Sequence, residues 1–319
     1  MARGGGTHAM TAEEGALERI ISLLSRYLHG KVRSLRLAVV CILSRGHLLI
    51  EDLPGLGKTT LAIGLAKALG LSLARIQCTS DLLPSDITGL SVYNKNTGDF
   101  EFRQGPIFNN IILVDEINRT TPKTQSALLE GMGEKQVTIE GKTFSLPRPF
   151  FVIATQNPTE HFGTFPLPES QLDRFMMRIS VGYPPRQAEK EILRGGSTRE
   201  ELYSIEPVMS KQEVLRLQEN IRGNVYMSEK ILEYVLDIVE ATRGSGYLRA
   251  GLSPRGALAV TYTAKTHAFL SGRDFVIPED IKDLAEHTIA HRLLFKEEYE
   301  DIDRKEIVRS ILEKIPVPA

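Results

Sequence analysis

Short, wholly apolar runs punctuate the first half of the chain, and each ends abruptly on polar residues. Leu48-Leu49-Ile50 passes into Glu51-Asp52, Ile111 to Val114 passes into Asp115-Glu116, and Phe150 to Ala154 passes into Thr155-Gln156-Asn157-Pro158. Runs of this length without polar alternation predict strands buried on both faces, as in a parallel sheet. Leu73 to Gln77 is a further strand candidate, and Met176 to Val181 closes the sheet. Between the runs the apolar spacing changes to that of helices. Thr11-Ala12-Glu13-Glu14 reads as a capping-box start for a helix carrying Leu17, Ile20, Ile21, Leu24 and Leu28 on one face, and residues 34–45 read as a second helix. Strands alternating with helices give a parallel, three-layer α/β core.

Two segments interrupt that alternation. Residues 88–104 hold the turn cluster Tyr93-Asn94-Lys95-Asn96-Thr97-Gly98-Asp99, and residues 135–149 bend at Glu140-Gly141. Both read as β-hairpins. Tyr183-Pro184-Pro185-Arg186 then breaks the chain, and the remainder is largely helical, with apolar repeats over 229–242, 254–270 and 278–292.

The chemistry gathers where the apolar runs end. Glu51-Asp52-Leu53-Pro54-Gly55-Leu56-Gly57-Lys58-Thr59-Thr60 comes directly after the first run. A buried strand entering a glycine turn and then a helix cradles nucleotide phosphates. Backbone N–H groups of Gly55 to Lys58 point at the β-phosphate, Lys58 reaches the β/γ oxygens, and the Thr59 hydroxyl takes a Mg²⁺ position. The pattern G-x-x-x-x-G-K-[ST] has Gly where this chain has Asp52. Two adjacent acids leaving a buried strand are costly unless a cation or a water meets them. Asp115 can hold Mg²⁺ through water and Glu116 can polarise the attacking water; the plainer alternative is an acidic helix start. Strand ends in open α/β sheets share one ligand edge. Asn157 therefore falls beside Lys58 and Asp115, either orienting the γ-phosphate or lytic water or serving as a turn residue before Pro158.

Taken in order, Pro-Gly-Leu-Gly-Lys-Thr, Leu-Val-Asp-Glu-Ile-Asn-Arg (113–119), Ala-Thr-Gln-Asn-Pro (154–158), Leu-Pro-Glu-Ser-Gln-Leu-Asp-Arg-Phe (167–175) and Leu-Ser-Pro-Arg-Gly (252–256) resemble the MoxR family of AAA+ ATPases, from about residue 12 to the C-terminus. The resemblance implies an α/β fold, an AAA+ three-layer P-loop core with a parallel sheet and β-hairpin insertions, plus a small all-α lid. It divides the chain into a flexible tail (1–10), an ATPase core (11–185) and a helical lid (186–319). It also implies ATP and Mg²⁺ as ligands, a phosphate-binding motif at Gly55 to Thr60, acids at Asp115 and Glu116, a sensor at Asn157, an arginine finger at Arg174 and a second sensor at Arg255. A surface arginine paired with Asp173 or Glu169 is the plainer reading of Arg174. Arg255 has a physical argument of its own: Ser253 is a good N-cap and Pro254 suits the first helical position, so Arg255 lies where the helix dipole disfavours a cation unless an anion is near. Whether it serves its own subunit's ATP or a neighbour's stays open.

By the same resemblance the partners are further copies of the chain in a ring, usually a hexamer, and a client protein with a von Willebrand factor A domain. The hairpins would face the ring pore. Alternatives are a magnesium-chelatase-like motor subunit and an ATP-binding scaffold with little turnover.

Composition narrows the remainder. The 319 residues suit one large or two moderate domains. With 39 basic against 40 acidic residues there is no broad footprint for nucleic acid, which disfavours a DNA-remodelling helicase. Cys41 and Cys78 lack metal spacing and read as reduced thiols of a cytoplasmic protein. No apolar run is long enough to span a membrane, and Met1 to Met10 carries no signal-peptide core. His287 and His291 stand four apart, but their sequence lacks the glutamate of H-E-x-x-H, so they are expected to pack or be solvated rather than bind zinc.

Overall fold

The computed structural model describes residues 12–159, 163–195, 201–299 and 302–318. The tail and Thr11, the expected helix cap, lie outside them. Helices α1 (Ala12–Ser25) and α2 (Val32–Leu43) precede strand β1 (Leu48–Glu51), helix α3 (Lys58–Ala68) and strand β2 (Leu73–Gln77). The second helix thus begins and ends two residues before the expected 34–45. A short helix α4 (Pro84–Thr88) leads to the hairpin β3 (Gly89–Asn94) and β4 (Asp99–Gln104). Strand β5 (Ile111–Asp115), helix α5 (Pro122–Glu134), the hairpin β6 (Gln136–Ile139) and β7 (Lys142–Ser145), strand β8 (Phe151–Gln156), helix α6 (Glu169–Leu172) and strand β9 (Met177–Ile179) complete the α/β part.

The sheet is five-stranded and parallel, ordered β2-β5-β8-β1-β9. Its closing strand is a three-residue edge, shorter than the expected Met176 to Val181. Side chains alternate between faces with a period of two. Leu48, Ile50, Ile111, Leu113, Phe151 and Ile153 join the apolar cluster that contains α1, α2 and the C-terminal helices. Leu49, Ile112, Val114, Val152 and Ala154 join the cluster under α5 and the second hairpin. Every one of these side chains is almost fully buried, which explains the unbroken apolar runs.

Both hairpins form where expected. The second bends through Glu140 and Gly141, both at positive φ, as a tight two-residue turn requires. Phe102 of the first hairpin stacks on Phe144 of the second at 4.4 Å.

After β9 the chain is mainly helical: α7 (Arg186–Gly195), α8 (Lys211–Asn224), α9 (Glu229–Arg243), α10 (Pro254–Leu270), α11 (Pro278–Thr288) and α12 (Arg304–Lys314), with a two-stranded ribbon of β10 (Leu248–Ala250) and β11 (Leu294–Phe295). The periodic segment 278–292 divides, because α11 stops at Thr288 and a 3₁₀ turn covers Ala290–Arg292. Serine caps start three of these helices: Ser210 accepts from the Glu213 amide, Ser228 from Ile231 and Ser253 from Gly256.

His287 and His291 are buried, bonded to the carbonyls of Arg178 and Phe175 at 3.2 and 2.9 Å, so both pack the helices onto the sheet edge. Cys41 and Cys78 are buried and free. Among the described residues no helix is long and apolar enough to cross a membrane, and no group of three or more His, Cys, Asp or Glu could hold a metal ion.

Candidate functional site

The carboxyl edge of the sheet collects Asp52, Lys58, Asp115, Glu116 and Asn157. The turn after β1 is made possible by Gly55 and Gly57, at φ 83 and 94, a region that side chains resist. Lys58 opens α3 and folds back over the turn, donating to the carbonyls of Asp52 and Leu53 at 2.7 and 3.0 Å. Burial lowers its pKa, opposed by the negative charges of Asp52, Asp115 and Glu116, so the acids act through space on this ammonium.

Asp52, the departure from the motif, is a buried structural anchor. Its carboxylate accepts from the Ser180 hydroxyl at 2.7 Å, from the Val181 amide, and from the Gly182 amide at 3.2 Å. Lys31 holds the other side of the same peptides, donating to the carbonyls of Val181 and Gly182 at 2.9 and 2.5 Å. Burial lowers the Lys31 pKa and the Asp52 charge works against that. The start of the glycine turn after β1 is thereby clamped to the segment that follows β9.

The acids have partners that sequence reasoning missed. Asp115 is buried and accepts from Arg75 Nε at 2.6 Å and from the Thr155 hydroxyl at 3.3 Å. Glu116 sits at φ 58, with its amide donating to Thr155 Oγ1 at 2.9 Å. Its carboxylate takes bonds from Gln77 and Arg119, each at 3.2 Å. Arg75 and Gln77 are two apart on β2, beside β5 in register; period-two spacing puts them on one strand face but does not say that β5 is the neighbour. Asn157 is buried, and its Oδ1 accepts from the Thr159 amide and hydroxyl at 3.2 and 2.9 Å; among the described residues no partner is seen for its NH₂.

Arg174 and Arg255 lie elsewhere. Arg174 precedes β9, and Met176 donates to the carbonyl of His47, so this end of β9 meets the amino end of β1. A four-residue strand separates that edge from the phosphate loop by about 10 Å. Arg174 donates to the Leu129 carbonyl at 2.9 Å and lies so tightly over α5 that a side chain at Gly133 would collide with it. It pairs with neither Asp173 nor Glu169. Asp173 is taken by Arg292 and, at 3.7 Å, by Arg255. The anion expected near the start of α10 is therefore this chain's own Asp173. Arg174, Arg255, Arg292 and Asp173 line one cavity of about 220 Å³.

The glycine turn, the flexed Lys58 and the oxygen donors of Thr59 and Asp115 suit a nucleotide triphosphate with a hard divalent cation. A phosphate loop on a five-stranded parallel sheet, acids leaving the strand beside it and a helical segment behind define an AAA+ nucleotide hydrolase. The profile of the ATPase family associated with various cellular activities (AAA) matches residues 47–177, and that of the AAA lid domain matches residues 240–311. The chain is 45% identical over 304 residues to the protein YeaC of Bacillus subtilis, covering 95% of each. It is 38% identical over 326 residues to Chaperone MoxR1 of Mycobacterium tuberculosis, covering 98% of this chain and 85% of that one. A crystal structure of a protein described as an ATPase, from Cytophaga hutchinsonii, superposes with a TM-score of 0.89 at 39% identity over 96% of both chains. The chain belongs to the MoxR family of AAA+ ATPases.

Proposed function

We propose that this protein hydrolyses Mg²⁺-ATP at sites completed between neighbouring subunits of a ring of identical copies, and couples the cycle to remodelling or assembling a client protein. The observation that carries this reading is the separation of the two arginines from the chain's own phosphate loop. Arg174 and Arg255 share the amino edge of the sheet, while Lys58, Asp115, Glu116 and Asn157 share the carboxyl edge. Arginines that assist phosphoryl transfer from there must act on a neighbour's nucleotide.

In this reading Lys58 leaves the Asp52 and Leu53 carbonyls to meet the β- and γ-phosphates, and the amides from Pro54 to Thr60 that carry a hydrogen cradle them, with Leu56 filling the turn. Thr59 and, through water, Asp115 would hold Mg²⁺, which would supply positive charge against the charge developing on the phosphates. Glu116 polarises the attacking water and Asn157 orients it. Arg174 of the adjoining copy stabilises the γ-phosphate, and Arg255 joins it from the lid. The core spans 11–185 and the lid 186–319. A cytoplasmic hexamer and a client with a von Willebrand factor A domain rest on the family resemblance and on relatives that include one named as a chaperone.

Complementation tests the shared site. Lys58→Ala and Arg174→Ala should each be inactive, with Arg174→Ala still binding nucleotide. Mixed, they form interfaces pairing a sound loop with a sound arginine, and ATPase activity should return in part. Absence of recovery in oligomers shown to be mixed overturns the reading.

A further inference from the structure

Beside the arginine cavity, a second cleft of about 270 Å³ separates the end of α2 and the amino edge of the sheet from lid helices α8 and α10. Its floor is apolar, with Leu43, Met176 and Ile221, and four cations line it: Arg45, Lys135, Arg222 and Lys265. Among the described residues Glu219 is the one carboxylate ion-paired with any of the four, meeting Arg45 at 2.6 Å from an exposed position. The Arg45 Nε is buried and has no hydrogen-bond partner.

Lys135 turns its amine inward although much of the residue lies at the surface. It reaches His47 Nε2 at 2.6 Å and the face of Phe150 at 5.5 Å. His47 Nδ1 already accepts the Val152 amide at 3.0 Å, and burial keeps the ring neutral, so the ring proton sits on Nε2. An ammonium at Lys135 therefore faces a donor, and burial pulls its pKa down to about 8. Arg222 lies over Tyr262 and receives Lys265 at its own carbonyl, 3.2 Å away. Burial, then the Arg222 charge, lowers the Lys265 pKa. Among the described residues, four other than glycine have positive φ: Glu116 in the nucleotide site, Glu140 at a hairpin bend, and Arg45 and Lys135, both in this cleft. Strained backbone thus presents two of the four cations.

Like charges crowded into a concave, half-desolvated space are destabilising until an anion enters. We propose that this cleft binds a small organic anion, a phosphate or sulfonate joined to an apolar body, which bridges core and lid. The anionic group meets Lys135, Arg222 and Lys265, and the apolar body rests on Leu43, Met176 and Ile221. The cavity suits a small molecule better than a protein segment. This site lies apart from the chain's own phosphate loop and adjoins the arginine cavity, with which it shares Arg45, Lys135, Met176 and Tyr262.

The probe is 1-anilinonaphthalene-8-sulfonate, titrated by fluorescence into the full chain in saturating ADP, with inorganic pyrophosphate as competitor. One saturable site is expected, displaced by pyrophosphate. Arg222→Glu and Lys265→Glu should each weaken it about tenfold or more, as loss of charge-assisted bonds requires. Lys190→Glu, on α7, should leave it unchanged. Failure to saturate, or weakening below about twofold in both reversals, overturns the proposal. Light scattering at the same concentrations covers the remaining case: if the reversals reduce dye binding only by dissociating oligomers, the cleft seats a neighbouring copy and the small-ligand reading falls.

Discussion

Asp52 offers the sharpest test of how the phosphate loop is held. Replacing it with Ala strips the acceptor from the amides of Val181 and Gly182 and from the Ser180 hydroxyl. Ser180 is exposed and recovers water, whereas Val181 is buried and Gly182 half-buried. An unmet buried donor costs about 1–3 kcal/mol, so two of them sum to about 2–6 kcal/mol. Lys31, buried on the other side of the same peptides, also loses its nearby negative charge. Asp52→Gly, which restores the usual motif residue, should lose as much as Asp52→Ala, while Asp52→Asn keeps one acceptor oxygen and should lose less. Urea denaturation reads the stability, and ATP titration of the folded variants reads the loop. The expected result is a lower midpoint at an unchanged slope, together with weaker ATP binding, because Lys58 rests on the carbonyl of residue 52. A stability change within about 0.5 kcal/mol and unaltered affinity would refute the clamp.

The same geometry fixes further outcomes. Glu116→Gln should bind ATP yet turn it over about 10²–10⁴ times more slowly, measured by phosphate release; parental turnover would make Glu116 a helix-start acid only. Lys135→Met should stabilise the protein at neutral pH, by no more than about 1–2 kcal/mol at this partly solvated position. Its pKa falls from 10.5 to about 8 on folding, so the penalty is complete below pH 8 and fades as pH rises to 10.5; denaturation at pH 7 and 10.5 should show the variant's advantage shrink. Burial raises the Asp280 pKa, but Arg273, His267 and the Ile277 amide together outweigh it and lower the pKa below 3.8. Its contribution is present above pH 4 and lost as pH falls through the lower folded value, so acid denaturation of Asp280→Asn should begin from a stability lower by about 3–5 kcal/mol and show a weaker pH dependence.

The buried strands were legible because a sheet covered on both faces demands apolar residues at every position, as Ile111 to Val114 show. The edge strand β9 was overextended because Ser180 and Val181, though strand-like in composition, are engaged by Asp52 instead of by β1. Helix α11 ends at Thr288, and in the 3₁₀ turn that follows Arg292 reaches inward to Asp173 and the Phe175 carbonyl, contacts to residues more than 100 positions away that periodicity does not register. Lys58, Asp115 and Glu116 could be found from local motifs. Arg75, Gln77 and the Asp52 clamp could not, since each depends on which strands and segments become neighbours 30 or more residues apart, and a motif carries no such distance.

The alternation of β5 and β8 side chains has a mechanical consequence. Odd and even positions of the same strands feed separate apolar layers, one shared with the lid and one shared with the hairpins. The sheet is thus a common wall between two compartments. A disturbance that starts in the lid can be felt at the hairpin tips by displacing whole strands, and a substitution such as Leu113→Ala should soften one compartment while leaving the stacking of Phe102 on Phe144 in the other intact.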